Sequence, residues 1–305
     1  MADRNHRCGI QFGLVLLCVV MIARSSFGQS PHIVFLSFNI RGDFDQGVAT
    51  DKSEAWIAKS GEHRRELVAS VISACQPDII GVQEAYQNQM DDLQAALPGY
   101  EYYGVGRDDG RSRGEQSAIF YRADRFERTD ADTFWLSNSP AVAGSVYPGA
   151  ATVRIASWVK LIDRRDSDRE FYVFNTHWDH VSQDARLHSA KLLRKRCKSL
   201  AGDSPVVVLG DLNADEENDA LAILCGATDD DGWELIDSYR EVIPKPDPNE
   251  ATFNAFEGKQ VGSRIDFILH TRQFRATRAA IDRTVFDGRY PSDHYPVTAE
   301  LVPVP

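Results

Sequence analysis

The stretch Asn175-Thr176-His177-Trp178-Asp179-His180 closes the apolar run Phe171 to Phe174, and it places two imidazoles and a carboxylate within four positions. The same abrupt change recurs along the chain. Asn39 ends "VFLSFN", Glu84 ends "DIIGVQE", Asp211 and Asn213 end "VVVLGDLN", Asp266 lies in "RIDFILH", and Asp293-His294 precede "YPV". Taken singly, each has an ordinary structural explanation as a turn, a capping pair or a solvated strand end. Gathered in one cleft, Glu84, Asp211, Asp266 and Asp293 would repel one another by about 4 kcal/mol per pair at ~4 Å and an effective dielectric of ~20. Such a group requires a cation or protons. Carboxylate and amide oxygens with no cysteine pair beside them suit Mg2+ or Mn2+ better than zinc. Histidines next to an oxygen-bound metal can donate to a phosphoryl oxygen, and neighbouring carboxylates are expected to keep them charged.

These side chains meet only if the runs that precede them share a sheet edge. Eight runs rich in β-branched and aromatic residues read as strands: "HIVFLSF", "DIIGVQ", "SAIFYR", "IASWVKLI", "EFYVFNT", "PVVVLG", "RIDFILH" and "YPVTAEL". Several are apolar at every position and so are buried on both faces. With period two, Asp211 and Asn213 point the same way if their strand continues through them, as do Asn175 and His177. Helical patterns lie between some strands. "EHRRELVASVISACQ" sets Leu67, Val68, Val71, Ile72 and Cys75 on one face before Pro77, and "QDARLHSAKLLRKRCKSL" and "ENDALAILCG" behave similarly. "GRDDGRSRGEQ" reads as a solvated hairpin loop that could offer Arg107, Arg111 or Arg113 to an anion. The acidic run at 229–231 reads as a polar turn, because the alternating further oxygens of a calcium loop are missing.

Arg4 and Arg7 ahead of an apolar run from Ile10 to Ala23, followed by small residues, read as a secretory signal peptide over residues 1–28, with the mature domain at 29–305. The expected protein is secreted or periplasmic, without stable membrane insertion, since no later run approaches ~20 apolar residues. Without the leader, 31 Lys and Arg face 44 Asp and Glu, a formal charge of −13. That balance argues against a polyanion held by a broad basic face. Cys75, Cys197 and Cys225 sit in helical patterns and read as small buried residues rather than a disulfide framework. With no linker and no repeat, one large domain is expected. Nothing in the sequence fixes an oligomeric state.

In order and spacing, "SFNIRG", "VQEA", "NTH", "GDLNAD", "RIDFIL" and "SDHYPV" resemble the endonuclease/exonuclease/phosphatase superfamily from about His32 to Val302. The resemblance implies an α/β fold, a four-layered sandwich of two mixed sheets face to face with helices outside, and an active site at one rim. It also implies roles. Asn39 and Glu84 would hold magnesium, with Asp293 as a further ligand. Asp211 would position or deprotonate the attacking water, and Asn213 would orient it or a phosphate oxygen. His294, steadied by Asp266, and His177 from the opposite side would bind non-bridging oxygens during in-line hydrolysis of a phosphoester. Some superfamily members that cut abasic DNA carry tyrosine where this chain has His177, so the resemblance is nearer the deoxyribonuclease, sphingomyelinase and phosphatase branches. "NTHWDHVSQDAR" resembles bacterial or exported members, in which Asp179, His180 and Arg186, with Arg107, would read the substrate.

Three functions follow as alternatives. The first is a magnesium-dependent phosphoesterase acting on a small-molecule or lipid-derived phosphoester. A secreted nuclease is the second, disfavoured by the net charge. The third is a non-catalytic binding module on the same fold.

Overall fold

Strands that are apolar on both faces need cover on both, and two facing sheets flanked by helices provide it. The structure is a computed structural model that describes residues 32–52, 54–227 and 232–304. The expected leader, residues 1–28, and the acidic run at 229–231 lie outside the described residues. In chain order the elements are β1 (Ile33–Asn39), α1 (Arg64–Cys75), β2 (Ile79–Ala85), α2 (Gln87–Ala96), β3 (Tyr100–Tyr103), β4 (Gln116–Arg122), β5 (Phe126–Trp135), β6 (Ile155–Asp163) and β7 (Arg169–His177). They continue with α3 (Gln183–Ala201), β8 (Val206–Asp211), α4 (Asp219–Cys225), β9 (Ile236–Asp237), α5 (Ser238–Val242), β10 (Asp266–His270), β11 (Phe274–Ile281) and β12 (Val297–Pro303).

One six-stranded sheet has the order β11-β12-β1-β2-β4-β3, the other β5-β6-β7-β8-β10-β9. Each is built around a parallel pair, β1 with β2 and β7 with β8, joined by a crossover helix, α1 or α3. The strands flanking each pair run antiparallel to it: β12 and β4 in the first sheet, β6 and β10 in the second. One rim therefore collects the carboxyl ends of β1, β2, β7 and β8 and the amino ends of β4, β6, β10 and β12.

Alternation sorts the side chains into three cores. Phe35, Val207, Leu209 and Phe171 fill the space between the sheets. Leu36 and Phe38 face Val68, Val71 and Ile72 of α1 and Met90 and Leu93 of α2, while Val206 and Val208 face Leu193 of α3 and Leu221 of α4. This is the four-layered sandwich expected from the sequence. Cys75, Cys197 and Cys225 are free thiols on three different helices. Among the described residues no helix is long and apolar enough to cross a membrane.

Towards the rim the filling between the sheets turns polar. Gln83 Nε2 donates to Asn175 Oδ1 at 2.7 Å and to Ser37 Oγ at 3.1 Å. Asn175 Nδ2 donates across the gap to the carbonyls of Val82 and Ala118, at 2.9 and 2.8 Å. Those carbonyls lie where the β2–β4 register shifts between Val82 and Ala85, so a side chain from the other sheet serves a broken ladder. Gly81 leaves room for this. A Cβ there would come within 2.9 Å of both Asn175 Oδ1 and Leu209 Cδ1.

The edge strands β3, β5, β9 and β11 and the helices α2 and α5 are absent from the pattern-based expectation. In β5 the stretch from Glu127 to Asp130 is exposed, and in β11 Arg275, Thr277 and Arg278 are. An edge strand needs no two-sided apolar run, and charge along it blocks pairing with other chains.

Candidate active site

All eight rim strands deliver a polar side chain to one place. Asn39, Glu84, His177 and Asp211 come from the carboxyl ends of β1, β2, β7 and β8; Asp266 opens β10, and Asp293-His294 lead into β12. Glu115 stands one residue before β4 and Arg154 one before β6. A cleft of about 460 Å³ is lined by Arg41, Glu84, Arg107, Glu115, Arg154, His177, His180, Asp211, Asn213, Phe253, Asp293 and His294, among others. Asn39 and Asp266 support lining residues from beneath.

Strict alternation would turn Glu84 outward with Ile80 and Val82. Instead Glu84 adopts φ +64° at the bulge, a left-handed conformation that a carboxylate rarely adopts without surrounding restraint, and it lines the cleft. Oε1 accepts from Asn39 Nδ2 and Oε2 from the Gly42 N–H, each at 3.0 Å. Burial pushes this carboxyl up, but the Asn39 and Gly42 hydrogen bonds outweigh it and hold the group below its ordinary value. Asn39 Nδ2 also donates to Asp211 Oδ2 at 3.0 Å, linking the two sheets, while its Oδ1 accepts from the Arg41 N–H at 3.0 Å.

Asp211 and Asp266 are direct cross-strand partners, an unfavourable pairing of like charges. Burial, reinforced by Asp266, raises Asp211 to about 7. His294 relieves the pair. Its Nδ1 is 2.9 Å from Asp266 Oδ2 and its Nε2 is 3.7 Å from Asp211 Oδ2. Burial opposes its charge, yet Asp266 and Asp211 raise it to about 10, so at neutral pH His294 is an imidazolium. His177 corrects the expectation that both histidines are charged. Its Nε2 lies 3.4 Å from Asp211 Oδ2, but burial and the Arg154 guanidinium hold it well below the ordinary histidine value, and its Nδ1 has no hydrogen-bond partner among the described residues.

Asn213 also departs from the expected geometry. β8 stops at Asp211, and Asn213 sits at φ +46° in the following turn, where its N–H caps Asp211 Oδ1 at 3.0 Å and its Nδ2 donates to the Trp178 carbonyl at 3.0 Å. It reaches the cleft through the turn rather than through alternation. The glycine of "GDLN" has its own reason, because a Cβ at Gly210 would overlap the Thr176 carbonyl oxygen on β7. Gly210→Ala is expected to lower stability by about 1–3 kcal/mol, read from the urea midpoint. An unchanged midpoint would show that β7 and β8 do not approach as closely as described.

The expected substrate readers divide. Arg107 and His180 line the cleft. Asp179 and Arg186 do not, which corrects that expectation. Asp179 is buried, with Oδ1 accepting from the Val181 and Ser182 N–H groups and Oδ2 from Ala151, and Arg186 is spent on the Asp179 carbonyl and Gln183 Oε1. Both shape the loop after β7. Arg111 and Arg113 are exposed on the hairpin. Arg41, Glu115 and Arg154 line the cleft without having been singled out. The available signal was position: they lie immediately after β1 or immediately before strands antiparallel to the parallel pairs.

Two carboxylate groupings bear on metal binding. Glu84 Oε2 and Asp293 Oδ2 converge on Arg41 Nη1, at 3.7 and 3.5 Å, and that guanidinium is 41% exposed. The other is Asp211, Asp266 and His294, whose candidate ligand atoms all lie within 4.8 Å of one another. The second is compensated by its own imidazolium. Glu84 and Asp293 are hard-oxygen donors that share only a partly exposed guanidinium and no imidazolium of their own, so they fit a divalent ion better.

A sequence profile of the Endonuclease/Exonuclease/phosphatase family matches residues 36–294. Among solved structures, an endonuclease/exonuclease/phosphatase from Bacteroides vulgatus is 34% identical, with a TM-score of 0.79 over 90% of this chain and 100% of its own. A mannosyl-6-phosphatase of Bacteroides thetaiotaomicron is also 34% identical, with a TM-score of 0.77 over 88% of this chain and 99% of its own. An uncharacterized protein of Acanthamoeba polyphaga mimivirus is 30% identical over 165 residues, 51% of this chain and 60% of the viral protein. The match runs from within β1 to His294 and so spans both sheets and the rim residues, and the chain belongs to the endonuclease/exonuclease/phosphatase family of phosphoester hydrolases.

Proposed function

We propose that the chain hydrolyses a small-molecule phosphoester by in-line attack of water, with Mg2+ or Mn2+ as cofactor. The observation that carries this reading is Asp211 Oδ2 set between His177 Nε2 and His294 Nε2, at 3.4 and 3.7 Å, on the wall of the cleft. Glu84 and Asp293 would hold the ion, which when bound supplies Lewis-acid polarisation of the phosphoryl oxygens. Asp211, raised to about 7, is poised to accept a proton from the attacking water near neutral pH. Asn213 braces Asp211 through its backbone N–H. His294 stays protonated against Asp266 and donates to a non-bridging oxygen as negative charge develops. His177 donates as a neutral imidazole from the other side.

The mannosyl-6-phosphatase among the similar structures supports a phosphorylated sugar as the first substrate to try. The nuclease reading draws on the family name, and the acidic composition opposes it. The purified chain with Mg2+ should hydrolyse p-nitrophenyl phosphate or its bis ester, and a panel of sugar phosphates, nucleic acid, phosphoinositides and sphingomyelin should then sort the natural class. Inertness towards both chromogenic esters and the whole panel would return the chain to the non-catalytic alternative.

A further inference from the structure

Of the residues that the eight rim strands deliver, Glu115 and Arg154 have no part in the hydrolysis outlined above. They face each other across the sandwich together with Arg107 and His180. Arg107 Nη1 pairs with Glu115 Oε2 at 2.5 Å, and Arg154 Nη1 lies 3.9 Å from the same oxygen. Arg154 Nη2 is 3.3 Å from His180 Nδ1. Two guanidiniums thus share one carboxylate. The Arg154 side chain is only 7% exposed, and its Nε–H finds no acceptor among the described residues. A guanidinium this buried and this poorly paired is costly to keep. It lines the same cleft as His177, and the register Ala156↔Thr176 sets it just beyond that histidine.

Glu84 and Asp293 pair with Arg41, Asp211 lies against His294, and Arg154, Arg107 and His180 gather around Glu115 in the same cleft. Resting on the phosphoesterase reading of this site, we propose that Arg154, set between Glu115 and His180, selects phosphomonoesters by binding the third terminal oxygen of the phosphoryl group. A monoester carries three such oxygens and a charge approaching −2 near pH 7. A diester has only two, and its second substituent falls where the third oxygen would be. Arg154 then meets carbon instead of charge. A planar fork in a buried wall suits an oxyanion and leaves a buried donor unmet by an ester.

The test compares wild type, Arg154→Gln and Arg154→Lys on p-nitrophenyl phosphate and bis-p-nitrophenyl phosphate with Mg2+. Neither compound carries a second anionic group, so any effect reports on the phosphoryl group itself. Wild type should prefer the monoester. Arg154→Gln should lose about 100-fold in kcat/KM on the monoester and about threefold or less on the diester, with Arg154→Lys in between. Inorganic phosphate should inhibit wild type at least about tenfold more tightly than dimethyl phosphate, an advantage of about 1.4 kcal/mol, and Arg154→Gln should erase it. Equal losses on both esters, a wild-type preference for the diester, or equal inhibition by the two anions would each overturn the assignment. The inhibitor comparison needs only wild-type protein, so it decides the matter even where the variants fail to fold. Wild type inert towards both esters and the whole substrate panel would instead bring down the hydrolase reading, and the selectivity with it.

Discussion

Asp211→Asn is expected to lower kcat on p-nitrophenyl phosphate by about a thousandfold, the size of a lost general base, while far-UV circular dichroism stays as in the parent. The substitution keeps the shape but removes the one oxygen that receives Asn39 Nδ2 and stands between two imidazoles. Because burial and Asp266 raise this carboxyl to about 7, it can take up a proton at neutral pH, which an ordinary surface aspartate cannot do efficiently. An amide cannot take it up at all. Retention of more than about a tenth of parental kcat would remove Asp211 from the proton-accepting role, since a base of this kind contributes at least ~100-fold.

Chelation should have a comparably large effect. Dialysis against EDTA is expected to bring turnover below detection, and Mg2+ or Mn2+ should restore it. Glu84 is held below its ordinary carboxyl value by Asn39 and Gly42 despite its burial, which favours the charged, ligating form. Asp293 faces it across Arg41. With no ion between them, the guanidinium that the two carboxylates share is partly exposed to solvent. Full activity after exhaustive chelation would eliminate the metal from the proposed reaction, while leaving the imidazole geometry untouched.

The interior of this fold was legible because most interior strands are buried on both faces. β1, β2, β4, β6, β7, β8, β10 and β12 all announce themselves as apolar runs, and these are the strands that carry the rim. β3, β5, β9 and β11 close the sheet edges, where Glu127 to Asp130 or Arg275 and Arg278 interrupt the pattern, so period and composition are silent there. The site divides along a similar line. Residues that follow a parallel strand, such as His177 and Asp211, stand out because an apolar run ends on them. Glu115 and Arg154 precede antiparallel strands, and only knowledge of strand direction places them at the same rim. Glu84 ends an apolar run and lines the cleft, although alternation by itself would send it to the helices. The bulge that redirects it leaves no mark in a pattern of period two. Asp179 and Arg186 show the converse, since dense polar character in a loop can serve the loop's own backbone.

The polar layer under the cleft has a further implication. Asn39, Glu84, Asp293 and His294 belong to one sheet and His177, Asp211 and Asp266 to the other, so the reaction centre is a seam between two independently hydrogen-bonded bodies. Asn175, donating its amide into the backbone of the opposite body, is one rivet between them, beside the Asn39–Asp211 and His294–Asp266 contacts. Damage to that rivet is expected to leave every ligand and every imidazole on its own strand and yet loosen the alignment of the two halves of the reaction centre. The resulting protein would be folded, metal-competent and catalytically silent.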